Sequence, residues 1–151
     1  MYAPADDNLS IVAARLKLGL PLRGFDGREI PLRAGSGECL GPIDAAHMLL
    51  QSGASLLPAD EAEAFIEDVC ERADAIEAGA RLAGDSPAVV VARVTAVLVS
   101  GAVRASVLAR GQDISPSAMN RATLSWYQVS DMRRRELLNA DAATDYGQLS
   151  A

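Results

Sequence analysis

Four carboxylates stand about one helical turn apart in the middle of the chain: Glu63, Glu67, Glu71 and Asp74. Positions three and four apart share a helix face, so they make one acidic stripe, with Asp68 and Glu77 beside it. A solvated helix face is the ordinary reading. Same-sign pairs at i,i+4 each cost roughly 0.2–0.5 kcal/mol, so keeping several points instead to a basic partner surface or to a negative wall that repels anions. As a metal site the stripe lacks calcium-loop spacing. The one basic cluster is Arg133, Arg134 and Arg135. Consecutive helical residues point about 100° apart, so these three fit a solvated face, salt bridges to a neighbour's acidic helix, or phosphate contacts.

Other reactive side chains are few. His47 is the single histidine and has no cysteine or second histidine at ligand spacing, so it reads as a partly buried or surface side chain. Cys39 and Cys70 are the only cysteines. That is too few for a disulfide scaffold or a zinc cluster, and Cys39 has no neighbouring base to activate it. The run Gly35-Ser36-Gly37-Glu38-Cys39-Leu40-Gly41 lacks the Gly-Lys-Ser/Thr of a phosphate loop, and its third glycine falls one residue too late for GxGxxG. It reads as a linker. An enzyme built on this chain would have to draw on Glu63, Glu67 and His47. The expectation is a protein that is not an enzyme and needs no cofactor or metal.

The bulk numbers agree. The chain has 151 residues, is 50% hydrophobic and only 4% aromatic, and carries a formal charge of −6. A chain of this size can bury about two thirds of its unfolded surface, enough for a core without staples. An acidic chain lacks the positive footprint of a general nucleic-acid binder. Nine acidic and two basic residues fall within residues 44–84, so the excess negative charge sits around the stripe. The N-terminal MYAPADDNLS has neither the basic nor the apolar region of a signal peptide. Arg93 and Arg104 bound ten uncharged residues, against about twenty for a membrane span. A soluble intracellular protein is expected.

The elements that position these residues are mostly helical. Residues 8–18 have helical apolar spacing with Gly19 as a stop. Residues 19–43 contain two Pro-Leu-Arg steps, Pro21–Arg23 and Pro31–Arg33, around Gly24-Phe25-Asp26-Gly27. Proline cannot donate to a ladder, and Asp-Gly signals a turn. This segment is expected to be an extended arm or hairpin lying against its own core or a neighbouring subunit. Asp44–Gln51 is predicted as a short helix capped by Asp44 and ended by Gly53. Residues 60–83 are predicted as an amphipathic helix, with Asp60 and Glu63 as a capping box. Its apolar face holds Phe65, Ile66, Val69, Cys70, Ala73, Ile76 and Ala80, and Gly84 stops it.

Residues 87–110 are the most apolar. Ser86 reads as the cap, Pro87 as the first helical residue and Gly111 as the stop. About twenty residues without a breaker are too many for one strand, so this is predicted as the central buried helix. Ala88, Ala92, Ala96 and Ser100 form a small-residue stripe that would let another helix approach. Residues 112–121 read as a loop with Ser115-Pro116 as a turn. Residues 122–129 alternate apolar and polar through Trp126 and Tyr127, which suggests an extended segment before a short helix at Asp131–Asn139. The expected fold is mainly α: a small bundle on two long antiparallel helices, with an extended N-terminal arm and a short extended segment near the C-terminus. Its divisions are an N-terminal helix and arm at 1–43, a helical domain at 44–140 and a flexible tail at 141–151.

From Asp44 onward the order of parts resembles the head–tail connector, or adaptor, proteins of long-tailed bacteriophages. The stretches that carry the resemblance are DAAHMLLQSGASLLPADEAEAFIEDVCERADAIEAGA, SPAVVVARVTAVLVSGAVRASV and LSWYQVSDMRRRELL. They match a short helix and loop, a long Asp/Glu- and Ala-rich helix, a valine-rich helix opening at a proline, and an aromatic before a Leu-Leu-ending helix. The extension of 1–43 and the Gln112–Arg121 segment, which stands where that family has a Gly-rich hairpin, are departures. The resemblance implies a structural virion protein of the neck, made in the host cytoplasm. About a dozen copies would form a ring through head-to-tail contacts. The ring would join the portal protein to another neck or tail protein and extend a channel through which DNA passes without sequence recognition. Glu63, Glu67, Glu71 and Asp74 would then be a channel wall or partner surface. Pro21, Arg23, Phe25, Pro31, Arg33, Trp126, Tyr127 and Arg133–Arg135 would be candidate subunit or partner contacts. The contrasting reading is a helical regulatory or protein-binding module, with Asp113–Leu138 forced into a DNA-binding helix–turn–helix.

Overall fold

Proline and glycine punctuate the helices of this chain, and the computed structural model, which describes residues 22–30 and 41–126, follows that punctuation closely. The predicted helix at 8–18, the Gly35-to-Leu40 run with Cys39, Pro21, Pro31, Arg33, Tyr127, the Asp131–Asn139 helix with Arg133–Arg135 and the tail lie outside the described residues. Four helices and one hairpin remain. β1 (Leu22–Arg23) pairs antiparallel with β2 (Glu29–Ile30), Leu22 opposite Ile30 and Arg23 opposite Glu29. α1 is Pro42–Ala54, α2 is Ala59–Leu82 and α3 is Pro87–Ala109. Residues 116–126 are helical and form α4. The fold is the expected mainly α bundle.

The helix ends explain the bounds. Ser86 caps α3 by accepting from the Val89 N–H at 3.4 Å, and Pro87 occupies the first turn, where a missing N–H costs nothing. α2 and α3 stop the same way. Gly84 and Gly111 take φ +79° and +70°. The N–H groups of Gly84 and Asp85 close back on the carbonyls of Arg81 and Ala80, and those of Gly111 and Gln112 on Leu108 and Val107. That is the Schellman closure, which favours glycine at its left-handed position. Two predicted caps are not used. α1 starts from Gly41 with Pro42 in its first turn, two residues before Asp44, and α2 starts from Pro58 with no side-chain cap. Asp44, and Asp60 with Glu61, instead lie in the first turns, where negative charge suits the helix dipole.

α1, α2 and α3 run up, down and up. Phe65 lies by Arg104 and Val69 by Gly101, so α2 and α3 are antiparallel. Gly53 lies against Ala102 and Ile43 beside Val90 and Val94, so α1 runs alongside α3 in the same direction. α3 is the spine: Val94, Leu98, Val99, Ala102, Val103 and Val107 are buried. By length and composition it could cross a bilayer, with hydropathy 1.7 over its most apolar stretch, but half of that stretch is buried within the protein. Burial of this kind marks the core helix of a bundle.

Gly53 is not a helix stop. It is the penultimate residue of α1, and a Cβ there would sit 2.6 Å from the Ala102 carbonyl oxygen. The small-residue stripe does not mediate this close approach either: Ala88 is exposed and Ala92, Ala96 and Ser100 are half-buried. Gly53 and Gly101 are the close-packing positions, the latter with Val69 and Leu50 over it.

The expected extended segment is helical over 122–126. Ala118, Met119, Ala122, Thr123 and Trp126 are buried, a spacing that puts one stripe on a helix. Ser115 accepts from the Ala118 N–H at 3.1 Å and its carbonyl from the Met119 N–H at 2.9 Å. Ser115-Pro116 is therefore a cap and first turn, as Ser86-Pro87 is. Leu124, which produced the apparent alternation, is 59% exposed.

Three buried polar atoms make no hydrogen bond among the described residues: Arg23 Nε, Asn120 Oδ1 and the hydroxyl of Thr95, a fully buried residue of α3. An unsatisfied buried hydroxyl costs about 1–3 kcal/mol. Thr95→Val keeps the shape and removes that cost. We expect it to raise the urea midpoint, by about 1 kcal/mol of stability; a lower midpoint would mean that the hydroxyl is bonded.

Candidate interaction surface

The acidic stripe lies where its spacing placed it. Glu63, Glu67, Glu71 and Asp74 are all exposed on α2. Among the described residues none of the four has an ion-pair partner. The acids beside them are paired: Asp68 with Arg72 at 3.3 Å and Glu77 with Arg81 at 2.7 Å. The stripe continues at Ala78 to Leu82, at spacings of four residues. Leu82 is 90% exposed, the most open large apolar side chain among the described residues.

The other side of α2 is different. Ile76 is two residues from both Asp74 and Ala78, which is about 200° around the helix. Sequence periodicity assigned it to the core, yet it is 40% exposed. It lines an open groove between α2 and α3, about 520 Å³ in volume, with Val69, Arg72, Ala96, Val97 and Arg104. Arg104 is half-buried and its guanidinium lies 5.5 Å from the centre of the Phe65 ring, a cation–π distance. Among the described residues no carboxylate comes within ion-pair distance of it. Burial lowers its pKa, the Arg72 charge adds to this and Asp68 opposes it. The groove thus presents apolar walls with two guanidinium groups at one end.

Three residues expected to contact other subunits are engaged within the chain. Phe25 stacks on Trp126, centroids 5.5 Å apart and planes 17° apart. The Trp126 indole N–H donates to the Arg23 carbonyl at 2.6 Å. The Phe25 N–H donates to the Ser52 hydroxyl at 2.9 Å, which itself donates to the Leu49 carbonyl at 2.7 Å. The hairpin tip is therefore held by α1 and α4 of its own chain.

The remaining polar candidates are dispersed. His47 is half-buried on α1. Cys70 is half-buried on α2, and burial, followed by the Asp74 charge, raises its thiol pKa, which disfavours the thiolate that nucleophilic chemistry needs. No group of three His, Cys, Asp or Glu suited to a metal occurs among the described residues. No family model, curated protein or solved structure matches this chain.

Proposed function

We propose that this chain is a structural protein of a bacteriophage neck, one of about a dozen copies in a ring that joins the portal to the tail and extends the DNA channel. On this reading it makes and breaks no bonds and takes no cofactor. The observation that carries it is the pair of unlike surfaces on opposite sides of α2, an acidic stripe without ion pairs among the described residues and a cationic apolar groove. Unlike patches facing apart suit heterologous head-to-tail contacts, which close into rings. The net charge of −6 also favours passage over adhesion of DNA. Electron microscopy of the native particle tests the proposal. Ring density beneath the portal should accept α1–α4 in every subunit; a particle whose neck lacks this chain overturns it.

Charge reversal gives a second test. Glu67→Lys with Glu71→Lys should leave stability within about 0.5 kcal/mol, as exposed sites do, while particle yield and infectivity fall. Undiminished infectivity would rule out both the channel-wall and the partner roles for the stripe.

One observation favours the helix–turn–helix alternative: residues 116–126 are helical, so α3, the 110–115 connection and α4 follow in that order. Its α4 exposes one cation, Arg121. Steeply salt-dependent DNA binding by the intact chain would support it over the ring.

A further inference from the structure

We infer that the acidic stripe of one copy, ending in Leu82, docks in the α2–α3 groove of a second copy. The inference rests on the ring reading only in placing copies side by side. Each surface lacks what the other supplies. The groove offers apolar walls at the exposed Ile76 and the half-buried Ala96 and Val97, and at its far end Arg104, a half-buried cation without an ion pair among the described residues. The stripe offers, at Glu71 and Asp74, carboxylates without ion pairs among the described residues, and beyond them an exposed leucine.

The lengths agree. Ala96 and Arg104 are eight residues apart on α3, and Asp74 and Leu82 are eight residues apart on α2, about 12 Å along either helix. With Leu82 against Ile76 and Ala96, Asp74 meets Arg104. Because Arg72 of the receiving α2 also lies at the arginine end and Ile76 toward the other, the two α2 helices run parallel. Parallel neighbours are what rotation about an axis along the bundle generates. Docking surface and groove differ, so the contact is heterologous and repeats from copy to copy. The stripe is then a partner surface, with the bare channel wall as the competing outcome.

Disulfide trapping of the full chain tests this. In a Cys39→Ser, Cys70→Ser background, Leu82→Cys with Ala96→Cys should give a ladder of dimers, trimers and higher species on mild oxidation. Within one chain, α2 ends opposite the start of α3, which leaves position 82 too far from position 96 for a disulfide, whose Cα atoms lie within about 7 Å. Arg104→Glu should cut the ladder about tenfold, as loss of a close charge pair does. Adding Asp74→Arg to the Arg104→Glu chain should restore it. Circular dichroism of each variant checks that the fold is kept. Absence of the ladder in folded protein at high concentration overturns the inference, as does a yield that stops at dimers or ignores Arg104→Glu. If electron microscopy still finds the ring, only this pairing fails; if no ring is found but the ladder forms and responds to the charge swap, the contact stands and the neck reading falls.

Discussion

Gly53→Ala is expected to destabilise the protein by about 1–3 kcal/mol, the usual cost of forcing atoms into a packed core, whereas Gly79→Ala is expected to stabilise it by about 0.8–1 kcal/mol, the helix-propensity gain. Both glycines lie within helices, and propensity alone gives both changes the same sign. Their surroundings differ. A Cβ at Gly53 meets the Ala102 carbonyl oxygen at 2.6 Å and its carbon and Cα at 3.2 Å. These are backbone atoms of α3, so no rotamer change relieves the clash, and α1 and α3 must separate along the most closely packed contact of the bundle. A Cβ at Gly79 meets nothing within 4 Å. Urea denaturation followed by circular dichroism reads both. A stabilised Gly53→Ala would mean that α1 and α3 do not pack at the separation described.

Trp126→Ala should cost more, about 3–5 kcal/mol, against a total of about 5–15 kcal/mol for a typical domain. The indole is 3% exposed, stacks on Phe25 and caps the Arg23 carbonyl. Its removal opens a cavity and frees the hairpin from α4, leaving the bond from the Phe25 N–H to the Ser52 hydroxyl to hold the tip. Trp126→Phe keeps most of the apolar volume and loses the indole N–H, so it should cost about 1–3 kcal/mol, the penalty for an unpaired carbonyl. Circular dichroism is the probe, because the substitution removes the chain's single tryptophan. A loss below 1 kcal/mol for Trp126→Ala would show that the hairpin docks without it.

The long helices were legible because several local signals agree at their ends. Ser86-Pro87 and the glycines at 84 and 111 act on their own neighbours, and the 3.6-residue period of α2 needs no partner to be seen. The same Ser-Pro pair was misread at 115–116, where a three-residue alternation ending at Trp126 outweighed it. Leu124 supplied that alternation and turned out to face solvent. Gly53 was misread because a glycine near a helix end signals a stop locally, while the reason for this one is a backbone 49 positions away. The acidic stripe belongs to one helix and could be read from spacing. The groove opposite it draws Ile76 from α2 and Arg104 from α3, and no window of sequence contains that juxtaposition. Leu82 carries no local signal of its place at the open end of the stripe, where it is 90% exposed.

The indole bond to Arg23 joins residues 103 positions apart. Closing so long a loop is entropically costly, though the cost grows only slowly with length, and contacts between distant residues tend to form late. The three helices from 42 to 109 turn back on one another through short connections and can assemble first. The hairpin then docks as a latch, and its rupture should precede global opening. Trp126→Ala should therefore speed unfolding and leave the refolding rate nearly unchanged.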